Sequence, residues 1–117
     1  MDIQTRENLT QKKCVPCEGG VDVCPLPFVT EQLKNLPGWY LVADNQRIRK
    51  DWTFNNFLEG IAFFNQVAQV AEDEAHHPDL HLESYRNVSI VIWTHAISGL
   101  SENDFILAAK IDQIAPR

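Results

Sequence analysis

The feature that most constrains this chain is a change of apolar period at Asn55. From Arg47 to Phe54 the residues alternate. Ile48, Trp52 and Phe54 fall on one face, and Arg47, Arg49, Asp51 and Thr53 on the other, as in a half-solvated strand. Lys50 interrupts the apolar face. From Asn55 or Asn56, either of which suits a cap, Phe57, Leu58, Ile61, Phe64, Ala68 and Ala71 recur at helical spacing. Pro78 disfavours helical geometry at His77, so the helix is expected to end near His76, after about 20 residues or roughly 30 Å. Alternation then returns, with Val88, Ile90, Ile92 and Thr94 on one face and Ser89, Val91, Trp93 and His95 on the other.

Shorter signals fill in the order. Thr30 offers an N-cap for a short helix through Leu33 and Leu36 that stops at Pro37-Gly38. Trp39 to Ala43 is β-prone, Asp44-Asn45-Gln46 is a turn, Leu80 to Tyr85 is a short strand, and Arg86-Asn87 is a turn. Ser98-Gly99 breaks the chain, and Ser101 to Asp104 matches a capping box ahead of a last helix with Phe105, Ala108, Ile111 and Ile114. The order α-β-β-α-β-β-α predicts an α+β two-layer domain: a four-stranded, mostly antiparallel sheet with helices on one face. Residues 1–29 hold Cys14, Cys17, Cys24, Gly19-Gly20, Pro16, Pro25 and Pro27 and read as an irregular extension, with one domain over 30–117.

A length of 117 residues suits one domain with a real core. Ten Lys and Arg against sixteen Asp and Glu give −6, so there is no general attraction to nucleic acid phosphates. No apolar run approaches the ~20 residues of a membrane span, and Met1 to Gln11 lacks the apolar core of a signal peptide. The cytoplasm is the expected location, with the nucleus second. The three cysteines, spaced C-x2-C-x6-C, are one ligand short of a closed zinc site, so unligated surface thiols in a loose segment are the expectation, with no metal.

The chemistry concentrates in Glu72-Asp73-Glu74-Ala75-His76-His77-Pro78, with His95 and Asp104 downstream. On a helix Glu72 neighbours His76 and Asp73 neighbours His77, four residues apart in each case. The carboxylates and the helix C-terminus favour protonated rings, which can exchange protons near neutral pH. A solvated helix end would carry the same residues. His81 reads as a surface histidine and His95 as a strand residue, buried or catalytic. Asp104 occupies the carboxylate position of the capping box, which leaves room for a second role.

The run Glu72-x3-His76-His77-Pro78-x6-Tyr85-x9-His95-x8-Asp104 resembles the signature of the pterin-4a-carbinolamine dehydratases. Leu36-Pro37-Gly38-Trp39, Trp52-Thr53-Phe54, the Phe57 helix, Thr94-His95 and Gly99-Leu100-Ser101 extend the resemblance over about residues 30 to 114, and Cys14-Val-Pro-Cys17-Glu-Gly-Gly20 is similar to leaders of non-animal members. Animal members carry tryptophan where this chain has Leu80. The resemblance implies dehydration of 4a-hydroxytetrahydropterin to quinonoid dihydropterin in tetrahydrobiopterin recycling, with no cofactor. It implies a pterin substrate and a homodimer or homotetramer; the charge and the apolar runs are what imply no direct nucleic acid partner and no membrane. His76 and His95 would share the acid/base steps, with Glu72 orienting His76. His77, Asp104, Trp93 and Pro78 would bind the pterin, and Tyr85 is a further aromatic that could support its ring. Phe57, Phe63, Phe64, Val67 and Val70 exceed a single helical stripe, in keeping with an oligomer. The cysteine segment belongs to no matched motif and is expected to be dispensable. Two other readings stand beside this one: a protein-binding module, as a transcription-factor dimerisation cofactor or assembly factor, and a metal hydrolase using Glu72, His76, His77 and His95, although adjacent helical histidines diverge by ~100°.

Overall fold

A computed structural model describes residues 2–16 and 21–116; Cys17 and the Gly19-Gly20 pair lie outside them. The elements are α1 (Arg6–Gln11), α2 (Leu26–Leu33), β1 (Tyr40–Val42), β2 (Arg47–Thr53), α3 (Phe57–Glu74), β3 (Asp79–Glu83), β4 (Asn87–Ile92), a 3₁₀ turn (His95–Ile97) and α4 (Glu102–Ile114). The strands lie in the order β1-β2-β4-β3, and every pairing is antiparallel. The α+β two-layer architecture is thus as the pattern of periods implies.

The register explains the two faces. Ile48 lies opposite Ile92, Trp52 opposite Val88, and Leu82 also opposite Val88. These side chains meet Phe63 and Val67 of α3 in the core. Gly60 is buried where α3 faces the sheet; a Cβ there would meet Leu82 and Val88 at 3.4 and 3.5 Å, ordinary packing distances. Lys50 shares this inner face and is accommodated by Asp112 of α4, whose Oδ1 lies 2.9 Å from its Nζ. The Trp39 indole N–H also donates to Asp112. The outer face carries Arg49, Asp51 and Ser89, joined by hydrogen bonds.

The N-terminal part differs from expectation. Residues 1–29 are not irregular throughout: they contain α1 and the first turn of α2. Thr30 is not a cap. α2 starts at Leu26 with Pro25 as its N-cap and Pro27 in the first turn, where a missing N–H costs nothing. Leu9, Cys24 and Val29 join the core. They cover α4, whose residues 103–109 are all buried, as a helix enclosed on all sides must be. Cys14 and Cys24 are accordingly partly and fully buried free thiols rather than surface ones. Among the described residues no helix is long and apolar enough to cross a membrane.

Two boundaries near the histidines also move. α3 ends at Glu74, because Ala75 turns left-handed (φ 52°) and the His76 N–H closes back on the Ala71 carbonyl at 3.2 Å. β4 ends at Ile92. Thr94 then pairs with Gly99 in a single bridge, pinching off a loop that carries His95.

Candidate active site

Extending the β3–β4 register past the Asp79–Val91 pair sets His77 level with Trp93 and His76 level with Thr94. The two histidines therefore leave α3 and run beside the end of β4. His76 points inward, only 6% exposed, and its Nε2 lies 2.6 Å from Asp104 Oδ1. Asp104 is fully buried at the third position of α4. Its second oxygen accepts from Thr94 Oγ1 and from the Ser101 N–H, both at 2.8 Å. The Thr94 and Ser101 hydroxyls meet at 2.7 Å. A carboxylate so surrounded fixes the ring opposite it: His76 Nε2 carries a hydrogen and donates.

His77 points outward. Its Nε2 lies 2.7 Å from Glu72 Oε1, and both side chains are largely exposed. The expected pairing of Glu72 with His76 is therefore corrected to Glu72 with His77. Asp73 does not pair with His77 either; it accepts from Gln69 at 2.9 Å. Both corrections follow from the left-handed turn at Ala75, which removes the histidines from helical spacing.

His95 is exposed in the 3₁₀ turn, not held in mid-strand, and its ring packs 4.2 Å from the Trp93 ring centre. The Arg47 guanidinium lies 3.9 Å from the same indole, and Asp79 Oδ2 accepts from the indole N–H at 3.3 Å. Pro78, half-buried, separates His77 from β3. The structure thus gathers Glu72, His76, His77, Asp104, Trp93 and His95 at one end of the sheet. Tyr85 it does not bring there: it sits in the β3–β4 hairpin loop, ~17 Å away along a five-residue strand. His81 is exposed on the outer face of β3.

Thr94, Asp79 and Arg47 were not singled out from the sequence. Thr94 had a legible signal, a hydroxyl on the otherwise apolar inner face of β4. Asp79 and Arg47 had none, since both are ordinary strand-edge charges. Among the described residues no three His, Cys, Asp or Glu side chains gather as a ligand set for a metal. Burial and the Glu74 carboxylate push the Cys14 thiol up to about 12, and burial and Asp104 push Cys24 up to about 11. Without a metal, both side chains therefore hold their proton at neutral pH.

A family model described as pterin 4 alpha carbinolamine dehydratase matches residues 27–114. The chain belongs to that family. Relatives within this dehydratase family include the Arabidopsis thaliana protein named pterin-4-alpha-carbinolamine dehydratase 2, mitochondrial, 48% identical over 92% of this chain. The chain spans 59% of that relative's length. A Dechloromonas aromatica protein named putative pterin-4-alpha-carbinolamine dehydratase is 46% identical over 92% of this chain and 93% of its own. Among solved structures, a transcriptional coactivator/pterin dehydratase from Brucella melitensis superposes with a TM-score of 0.75 at 29% identity, covering 81% of this chain and 100% of that one. In this member of the family, Leu80 lies opposite Ile90 on the inner face of β3 and is partly exposed.

Proposed function

We propose that this chain dehydrates 4a-hydroxytetrahydropterin to quinonoid dihydropterin in tetrahydrobiopterin recycling, by histidine acid/base catalysis. The observation that carries the reading is the pair of carboxylate-held histidines, His76 on Asp104 and His77 on Glu72, beside the exposed His95. In the reaction the bond from C4a to the hydroxyl oxygen breaks. The adjacent ring N–H gives up its proton, and its electron pair becomes the new C=N bond. The departing oxygen takes a proton and leaves as water. One group must accept a proton and another must donate one.

The geometry favours a revised division of labour. His77 donates its Nε2 hydrogen to Glu72, which leaves Nδ1 to accept the ring proton. His95, held against Trp93, donates to the leaving oxygen. His76, buried on Asp104, anchors the turn that carries His77 and contributes to the pterin site from below. Turnover of a 4a-carbinolamine by chelator-treated protein tests the reading, and absence of turnover in the folded protein rejects it. That result would favour the second reading, a protein-binding module, to which the coactivator in the Brucella relative's name lends support.

We also read the working form as a homodimer or homotetramer. Phe63 and Val67 are used by the core, but Phe57 and Leu58 at the start of α3 are 49% and 77% exposed. A monomer by light scattering at micromolar concentration rejects this.

A further inference from the structure

Residues 12–15 run as a strap across two helix ends. Lys12 Nζ meets Glu102 Oε1 at 2.7 Å, and Lys13 Nζ donates to the Asp73 carbonyl at 3.2 Å. The Cys14 N–H donates to Glu74 Oε1 at 2.8 Å. The Val15 N–H donates to Asn103 Oδ1 at 3.0 Å, and Asn103 Nδ2 donates back to the Val15 carbonyl at 2.8 Å. The other Glu74 oxygen is held by Lys110 of α4 at 2.7 Å. Glu74 and Asn103 are both buried. Glu74 precedes His76 by two residues, and Asn103 immediately precedes Asp104. The strap therefore grips the chain beside both halves of the buried imidazole–carboxylate pair.

We propose that this strap, acting through Glu74 and Asn103, is a positioning device for the His76–Asp104 pair, a reading that rests on the dehydratase assignment above. His76 is past the end of α3, attached through a left-handed turn, so the helix alone does not fix it. The strap ties the end of α3 to the start of α4 and holds the imidazole on its carboxylate. Catalytic geometry tolerates little slack: a displacement of ~1 Å can cost about a hundredfold in rate. Attachment of the N-terminal segment as such does not require these contacts. Gln32 clamps Gln4 through two further bonds, at 2.8 and 2.9 Å, on the α2 side.

The test compares full-length Asn103→Ala with full-length Gln32→Ala. Asn103→Ala removes both bonds to Val15. It should lower kcat for a 4a-carbinolamine by about tenfold to a hundredfold with little change in KM. The ring N–H of His76, buried on Asp104, should give a slowly exchanging proton NMR signal in the wild type and broaden into solvent exchange in the variant. Gln32→Ala also loses two partly buried bonds and should lower Tm while leaving kcat and that signal at wild-type values. The proposal is overturned if folded Asn103→Ala keeps both, or if Gln32→Ala loses both equally, which would mark the strap as general scaffolding. Should Asn103→Ala not fold, Asn103→Asp keeps the acceptor for the Val15 N–H, loses the donor and sets a carboxylate against the Val15 carbonyl, so it loosens the strap at the same point; wild-type kcat and an unchanged His76 signal there would equally overturn the proposal. Wild-type protein without turnover would reject the dehydratase reading, while the His76 signal would still decide the strap.

Discussion

His77 and His95 are exposed and His76 is buried, and that difference sorts their mutational effects. His77→Ala and His95→Ala should each lower kcat by about 10²–10⁴-fold, as for loss of a general acid or base. Steady-state kinetics on folded variants check this, and the double variant should lose less than the product if both act on one transition state. Wild-type kcat in the double variant would sink the division of labour. The residue types of the site were legible in the sequence, and Asp104 was legible as a cap with room for more. The pairings were not. They depend on Ala75 adopting a left-handed turn, and alanine gives no warning of one as glycine would. Trp93, expected as a surface for the pterin ring, has Arg47, His95 and Asp79 as neighbours, none of which its position in the strand pattern announces.

At the scale of elements, two polar ties hold α4 to its neighbours. Asp112→Ala would leave the Lys50 ammonium on the inner sheet face with the Pro37 carbonyl but no counter-charge, and the Trp39 N–H without its acceptor, costing roughly 3 kcal/mol by denaturant titration. The interruption at Lys50 was legible, but its partner lies 62 residues away and no local pattern announces it. The second tie is Glu74. Burial raises its carboxyl, but the hydrogen bonds from Lys110 and the Cys14 N–H, with the charge of Lys110, outweigh burial and hold it below its ordinary 4.5. A carboxyl lowered by folding stabilises fully above its unfolded value and loses that contribution as pH falls through the folded one. Unfolding measured from pH 7 downward should show wild-type stability falling below about pH 4.5, with Glu74→Gln flatter over that window. α1 escaped the sequence reading for a related reason. Six residues are too few to form a helix on propensity alone, and α1 is held by Leu9 against α4.

For the whole molecule, fold class and strand count followed from the alternation of periods, because a helix that long between two amphipathic strands must lie on their common face. The extent of the domain did not follow. Pro and Gly punctuation suggested a dispensable leader, whereas Leu9 is fully buried in the core. Leu9→Ala should cost about 2–5 kcal/mol, measured by chemical denaturation. Removal of residues 1–28 should leave α4 uncovered and the chain unable to fold cooperatively, a result circular dichroism melting would register. A truncation that melts like the intact chain would restore the view of the segment as an accessory.

The strap also bears on the order of events during synthesis. Its residues leave the ribosome early, yet Asn103 and Glu102 lie 88 to 90 positions later in the chain. Contacts of such separation close late, after the sheet and α3 have the means to form. Competence would then be the last property the newborn chain acquires. In refolding from denaturant, far-ultraviolet ellipticity should return before catalytic turnover, and the lag between them should change in Asn103→Ala, which lacks two of the strap's contacts.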